Sequence, residues 1–242
     1  MQKYFVLQIK EIISYMYKLF KLIKNKVGPY PEQIILNIVT NTIIYGRFDN
    51  PYKILWVDPN AIKLKLDRKY EKKRYWGLGM VVGGDWDKRV SDINKTNTHL
   101  AIFQHFNNGI PWGQTKLFTE EYPERIKKCG RIKRCYNLKD LEQFYNTVQV
   151  DLFNSLKLNG FQIPSIKSKG VEYIYVYVGR NGEFIYTGLG NHRLAMAKVL
   201  KIDKIPVRVL ARHKQWQKLR IMKIRGKHKN SEEKNEHPDL QF

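Results

Sequence analysis

Cysteine, acidic residues and long apolar runs are all scarce in this chain of 242 residues. Its two cysteines, Cys129 and Cys135, supply neither a zinc site nor a disulfide framework without further ligands, so a reducing cytoplasm is the simplest setting. The most apolar stretch, residues 4–26, is interrupted by lysines and falls short of the ~20 apolar residues that span a bilayer. It also lacks the compact apolar core and small residues of a signal peptide.

Basic residues outnumber acidic ones by 44 to 22, which gives a formal net charge of +22. Such an excess predicts attraction to polyanions: a nucleotide, DNA or RNA, or an acidic membrane surface. The residues that could face a phosphate backbone are Lys127, Lys128, Arg131, Lys133, Arg134, Arg212 and Lys214. The alternative is a solvated loop and a solubilising tail. A basic helix at 4–26 could lie on a membrane surface, but docking on the protein's own core is the favoured prediction.

One stretch joins a predicted strand to a predicted helix through a glycine-rich turn. Residues 172–178 are aromatic and β-branched, as in a strand, and the Asn-Gly pair at 181–182 favours a hairpin. The chain then passes Gly188 and Gly190, which permit unusual backbone angles, into a helix that Asn191 is expected to cap. Amides at such a helix N-terminus attract anions such as phosphate.

Two side chains at the start of this helix could contact a phosphate. Arg193 is predicted on an apolar helix face beside the turn, where its guanidinium needs a carbonyl, a carboxylate or a phosphate as partner. His192 adds a donor or a proton carrier at the same end. The motif leaves open a plain helix start, with Arg193 paired to an internal acid and His192 solvated.

At this turn and the start of the helix that follows it, the chain resembles the ParB/sulfiredoxin-like superfamily. Members of that superfamily carry a glycine, a variable residue, His or Arg, and then Arg at the start of such a helix. The resemblance extends to residues 201–210 as a returning strand, to 55–59 as a first strand and to 138–160 as a helix. It implies an α+β (mixed α/β) fold with a small sheet, and ATP, ADP or CTP as cofactor. The phosphate-binding residues that it implies are Gly188, Gly190, Asn191, His192 and Arg193.

Members of this superfamily use the turn in CTP-switched DNA partition, ATP-dependent sulfinic acid repair and free serine phosphorylation. Sulfiredoxins have a catalytic cysteine where this chain has Asn191, and partition proteins have Glu-Arg-Arg at 191–193. The resemblance is therefore nearest to the kinase-like or ParB-like nuclease branch. As an enzyme, the chain would be a nucleotide-dependent phosphotransferase or a nucleotide hydrolase. The alternatives are a nucleic-acid-binding protein, a ParB-like nuclease and a scaffold that binds neither.

Asp85 and Asp87 flank Trp86 beside a Gly-Gly turn. Two carboxylates at this spacing could hold Mg²⁺ or act as a general base for phosphoryl transfer. In the alternative interpretation they cap turns at a hairpin end while Trp86 packs on the core. Asp85, Asp87 and His192 are the catalytic candidates, and the two aspartates are the metal candidates.

Three parts are expected along the chain: an N-terminal helical extension at 1–50, a ParB/sulfiredoxin-like domain at 51–212 with an insertion at about 66–136, and a basic C-terminal tail at 213–242. The insertion is where a lid would be placed, and the tail is predicted to be disordered beyond about residue 226. A helix at 97–109 is predicted to bury Leu100, Phe103 and Phe106 and to leave His99 and His105 in solvent.

Overall fold

The computed structural model describes residues 31–45, 50–67, 77–163, 173–226 and 237–241. The strands are β1 Ile54–Val57, β2 Leu64–Leu66, β3 Met80–Val82, β4 Val90–Asp92, β5 Ile174–Val178, β6 Phe184–Tyr186 and β7 Ile205–His213. The α-helices are α1 Pro31–Tyr45, α2 Asn97–Asn108, α3 Tyr122–Cys129, α4 Leu138–Phe144, α5 Val150–Asn159, α6 Asn191–Val199 and α7 Lys214–Ile224. This content confirms the predicted α+β class.

The strands of the described residues form one mixed sheet in the order β1-β7-β5-β6-β2-β4, and β3 pairs with the second half of β7. β5 is antiparallel to β6 and parallel to β7, so the chain makes a hairpin and later returns beside it. The hairpin has the predicted Asn-Gly turn, in which the amide of Gly182 donates to the carbonyl of Gly179. β6 then leads through residues 187–190 into α6, as the sequence predicts.

Helix α6 lies between the sheet and a layer of helices. Leu194 and Ala197 belong to the apolar core against the sheet. Ala195 and Met196 belong to a second core that α2 to α5 form around Tyr145. Small side chains allow α2 to pack along α6, so the start of α6 is held between two packed layers.

Helix α2 ends at Gly109 as predicted but buries a different face. Ala101 and Ile102 are buried, whereas Leu100 and Phe103 are 39% and 48% exposed. The predictions for both histidines were wrong: His99 is only 5% exposed, and the ring of His105 stacks on Trp112 with centroids 4.0 Å apart. The buried face differs from the predicted one because α2 packs on α6, where His99 has a hydrogen-bond partner.

The opposite face of the sheet is covered in part by α1. This helix lies within the N-terminal helical extension predicted at 1–50, and its Ile34 and Ile38 pack with Tyr52 and Leu78. The helix predicted within residues 4–26, and its possible membrane contact, lie outside the described residues. In the part of the chain that is described, no helix is both long and apolar enough to cross a bilayer.

The C-terminal segment is built into the fold where the structure describes it, and the prediction of a tail was wrong there. α7 follows β7 directly, and its Trp216 is buried. The 3₁₀ turn Pro238–Leu240 buries Asp239, which accepts hydrogen bonds from Arg212 and Trp216. Net charge alone could not predict that this segment is buried, because the carboxylate that pairs with Arg212 lies 27 positions further along the chain.

Candidate functional site

The turn between β6 and α6 has the backbone geometry that its glycines predict. Gly188 and Gly190 have φ angles of 101° and 88°, in the left-handed region. A Cβ on Gly190 would lie 2.9 Å from Cγ1 of Ile174 and 3.3 Å from the carbonyl oxygen of Tyr173, so the position requires glycine. Gly190 is the N-cap of α6 and has no side chain with which to cap the helix. The N-cap position therefore supplies no side-chain oxygen to the first amides of α6.

Asn191 is the first residue of α6 and not its cap, which corrects the prediction. Its Oδ1 accepts a hydrogen bond from Nε2 of His99 over 3.0 Å. Burial, and then the charge of Lys198, lower the pKa of His99 to about 3. His99 is therefore neutral at physiological pH and donates to Asn191 from Nε2. The side chain of Asn191 is therefore hydrogen-bonded to α2 and does not cap α6.

His192 lies at the end of a chain of buried hydroxyl groups. Its Nε2 is 2.7 Å from Oη of Tyr145, which is also hydrogen-bonded to Oη of Tyr122. Tyr145 begins a π-helical turn, Tyr145–Gln149, between α4 and α5. Such turns are rare and are frequent at functional sites. The predicted helix at 138–160 is confirmed as a continuous helical segment, but the sequence gives no sign of this turn.

The positions of the protons follow from the donors and acceptors available. Burial raises the pKa of Tyr122 to about 12 and also raises that of Tyr145, so both hydroxyls keep their protons. Among the described residues, the hydroxyl of Tyr122 has one acceptor, the oxygen of Tyr145. Tyr145 consequently donates its own proton to Nε2 of His192, and the neutral imidazole carries its proton on Nδ1.

Burial, and then the charges of Lys133 and His99, lower the pKa of His192 to about 3. His192 is therefore a neutral donor and a weak base. Its Nδ1 makes no hydrogen bond within the described ranges. This N–H group is available to a ligand at the start of α6.

Lys133 brings a positive charge to the same place. Much of the residue is exposed, but its Nζ lies 4.9 Å from the ring centroid of Tyr145 and 5.1 Å from that of Phe144. Burial against these rings lowers the pKa of Lys133 to about 8. The half-buried Arg193 stands next to His192 on α6. Donors of three kinds thus lie at the start of α6: helix amides, an imidazole N–H and the ammonium group of Lys133.

Asp85 and Asp87 lie at the other end of β6, beside the β5–β6 hairpin, so the structure does not bring them to the glycine turn. Both carboxylates accept hydrogen bonds of 2.7 Å from Arg180. Burial opposes ionisation of Asp87, but the hydrogen bonds from Arg180 lower its pKa. Trp86 is buried between them. The burial of Trp86 agrees with the hairpin-end interpretation, but Asp85 makes no capping hydrogen bond and pairs with Arg180 instead. The described residues hold no group of three His, Cys, Asp or Glu side chains that could bind a metal ion.

The predicted nucleic-acid-binding residues do not form one surface. Arg212 is buried against Asp239, with 2.6 Å between its Nη2 and Oδ1 of the aspartate, so it is excluded from any such surface. Lys133 lies over the tyrosine ring at the site. The exposed members are Lys127, Lys128, Arg131, Arg134 and Lys214.

The sequence predicts no role for Tyr122, Tyr145 or His99. The contacts that define them cross the chain: 47 positions separate Tyr145 from His192, and 92 separate His99 from Asn191. Lys133 has no local signal either, because the rings that it contacts, those of Phe144 and Tyr145, lie 11 and 12 positions further along the chain. Comparisons with protein-family models, curated proteins and solved structures found no match for the chain.

Proposed function

We propose that the turn at Gly188–Arg193 and the N-terminus of α6 bind the phosphate groups of a nucleotide, such as ATP, ADP or CTP. The convergence of donors at this point carries the proposal. Backbone amides and the helix dipole favour an anion at a helix N-terminus, and here the N-cap residue is a glycine without a capping side chain. The resemblance to the ParB/sulfiredoxin-like superfamily supports the same assignment, and the two free thiols are compatible with a reducing cytoplasm.

Each side chain has a distinct part in this proposal. Lys133 and Arg193 supply positive charge, which strengthens hydrogen bonds to phosphate oxygens. His192 supplies a neutral N–H group from Nδ1, and Tyr145 acts as a positioning residue because it holds the imidazole in one tautomer. Asn191 is anchored by His99, which fixes the first turn of α6.

Phosphoryl transfer or hydrolysis would require a further group that orients or deprotonates the nucleophile. Asp85 and Asp87 are bound to Arg180 at the far end of β6, so the proposal gives them no role with substrate or Mg²⁺. We therefore propose binding as the primary activity. Hydrolysis of the bound nucleotide, or transfer of its phosphoryl group to an acceptor, would be detected by measuring the product.

The test is a titration calorimetry series with ATP, ADP and CTP, each with and without Mg²⁺. Removal of Arg193 in Arg193→Ala is expected to weaken binding by about 1.5–3 kcal/mol, the usual contribution of a hydrogen bond to a charged group. Lys218→Ala removes an exposed lysine on α7 and should leave affinity unchanged. If none of the three nucleotides binds the wild-type protein, the proposal is wrong.

Nucleic-acid binding is the second candidate, favoured by the exposed cluster around the end of α3: Lys127, Lys128, Arg131 and Arg134. For duplex DNA, the logarithm of the binding constant should fall with the logarithm of salt concentration by about 0.9 per phosphate neutralised. Replacement of all four residues by alanine should reduce that slope and leave nucleotide binding unchanged. An unaltered slope would remove the cluster from consideration.

A further inference from the structure

Arg208 lies on the face of the sheet opposite α6. Its neighbours Val207 and Val209 are in the core beneath α6, and side chains alternate between faces along a strand. On its own face, the guanidinium carbon of Arg208 is 3.7 Å from the ring centroid of Tyr173 and 5.8 Å from that of Tyr52. The arginine is thus held by cation–π contacts with two tyrosines.

The guanidinium of Arg208 makes no hydrogen bond and no ion pair in the part of the chain that is described, and its Nε is buried without a partner. Other arginines of this fold are neutralised: Arg180 binds two aspartates, and Arg212 and Arg220 share Asp239. A buried charged donor without an acceptor is costly. Within the described residues, the guanidinium of Arg208 therefore lacks a hydrogen-bond acceptor.

Neither tyrosine supplies that acceptor. Within the described residues the hydroxyl of Tyr52 makes no hydrogen bond with the guanidinium, and burial raises its pKa to about 12, so it carries no negative charge. Tyr173 contacts the guanidinium carbon through its ring and leaves the in-plane N–H groups without an acceptor. These N–H groups form a planar fork that matches the two oxygens of a carboxylate or phosphate.

The site adjoins the glycine turn without being part of it. Tyr173 contacts both: its ring lies against Arg208, and its carbonyl oxygen would lie 3.3 Å from a Cβ on Gly190. A ligand group on this face of the sheet would therefore be separated from the start of α6 by strand β5. The two positions could hold two anionic groups independently.

We propose that Arg208, supported by Tyr52 and Tyr173, is an oxyanion-binding site that takes a phosphate or carboxylate group. The ligand would accept hydrogen bonds from the terminal Nη groups of the guanidinium, because the Nε–H group is buried. The proposal does not rest on nucleotide binding at α6. Phosphate and carboxylate share the required geometry, so the two probes are compared directly.

The first test uses the wild-type protein and needs no variant. Orthophosphate and acetate are titrated separately at constant ionic strength, and the Nε–H signal of Arg208 is followed by ¹H–¹⁵N NMR after assignment. A saturable shift of this signal with either anion is expected, and the anion with the lower half-saturation concentration identifies the class. Absence of a shift with both anions overturns the proposal.

The second test compares Arg208→Gln with Lys218→Gln, which removes one positive charge from an exposed position on α7. Affinity for the anion should fall about tenfold or more in Arg208→Gln, as expected for loss of a charged hydrogen-bond pair, and should be unchanged in Lys218→Gln. Anion binding that persists in Arg208→Gln but is lost in Arg193→Ala would place the anion at the glycine turn and overturn this proposal. Nucleotide titration of the same variants reports on α6 separately.

Discussion

Single residues at the start of α6 owe their protonation states to their surroundings. Burial makes His192 neutral, while the tyrosine chain decides which of its nitrogens carries the proton. Lys133 titrates nearer to physiological pH than an ordinary lysine because its ammonium group lies over aromatic rings. The chemistry available to a ligand therefore depends on residues that do not touch it, and each of these states can be measured.

Tyr145→Phe should release the tautomer of His192. The change leaves Nε2 of His192 without its donor and the hydroxyl of Tyr122 without its acceptor, so the free energy of unfolding should fall by about 1–3 kcal/mol. Imidazole ¹⁵N shifts should show the proton on Nδ1 in the wild type and a mixture of tautomers in the variant. Tyr136→Phe removes an exposed hydroxyl and is the control. A wild-type proton on Nε2 would contradict the derived chain of hydrogen bonds.

Lys133→Arg should change how nucleotide binding depends on pH. The pKa of Lys133 is lowered to about 8, so its charge is present below that pH and is lost as pH rises through it. One unit above the pKa, about a tenth of the lysine remains protonated, and wild-type affinity should fall between pH 7 and 9. Arginine remains charged throughout this range, so the variant should lose this pH dependence.

The matched control for this pH series is Lys128→Arg, at an exposed position on α3. It should retain the wild-type dependence of affinity on pH. Identical profiles for Lys133→Arg and the wild type would show that another group controls the pH response.

At the scale of elements, the C-terminal 3₁₀ turn fastens α7 to the sheet. Asp239 receives hydrogen bonds from β7 through Arg212 and from α7 through Trp216, and its main-chain oxygen accepts one from Arg220. His237 adds a contact between its Nε2 and the carbonyl oxygen of Gly182 in the β5–β6 hairpin. One short turn thus joins three elements that are distant in sequence, so its loss should affect the stability of the whole sheet.

Asp239→Asn should lower the free energy of unfolding by about 3–5 kcal/mol, because two buried arginines lose their counter-charge. Burial alone would raise the pKa of Asp239, but Arg212 and Arg220 lower it to about 2. This folded-state pKa lies below the value of 3.8 that is usual for aspartate. The stabilisation is therefore complete above about pH 4 and is lost as the pH falls towards 2.

Urea unfolding of both proteins, followed by tryptophan fluorescence between pH 2 and 7, measures this effect. The wild type should lose stability between pH 4 and 2, and Asp239→Asn should lose less over the same interval. Asp85→Asn makes the same chemical change at an exposed carboxylate and should have little effect. An equal acid response in the wild type and Asp239→Asn would show that other carboxylates dominate.

At the scale of the whole molecule, the sequence predicts those structural features that residues adjacent in the chain determine. The hairpin at 179–182, the strand-turn-helix at 184–199 and the α+β class follow from turn chemistry and side-chain periodicity. The glycine requirement at Gly190 also follows from the motif. These features need only a few consecutive residues, which is why they were predictable.

Contacts between distant segments could not be predicted in this way. His99 was expected in solvent because periodicity defines a helix face but not the helix against which it packs. Arg212 was counted as surface charge, although its partner Asp239 lies 27 positions further along the chain. For the same reason a formal charge of +22 overstates the basic surface, since Arg212 and Arg220 are internal.

The most direct test of nucleotide-phosphate binding at α6 is a ¹H–¹⁵N NMR titration of the wild-type protein with ATP, ADP and CTP. If the phosphates lie at the N-terminus of α6, the backbone amides of Asn191, His192 and Arg193 should show the largest shifts and should saturate together. Saturable shifts centred on residues 127–134, or no saturable shift with any of the three nucleotides, would contradict the account.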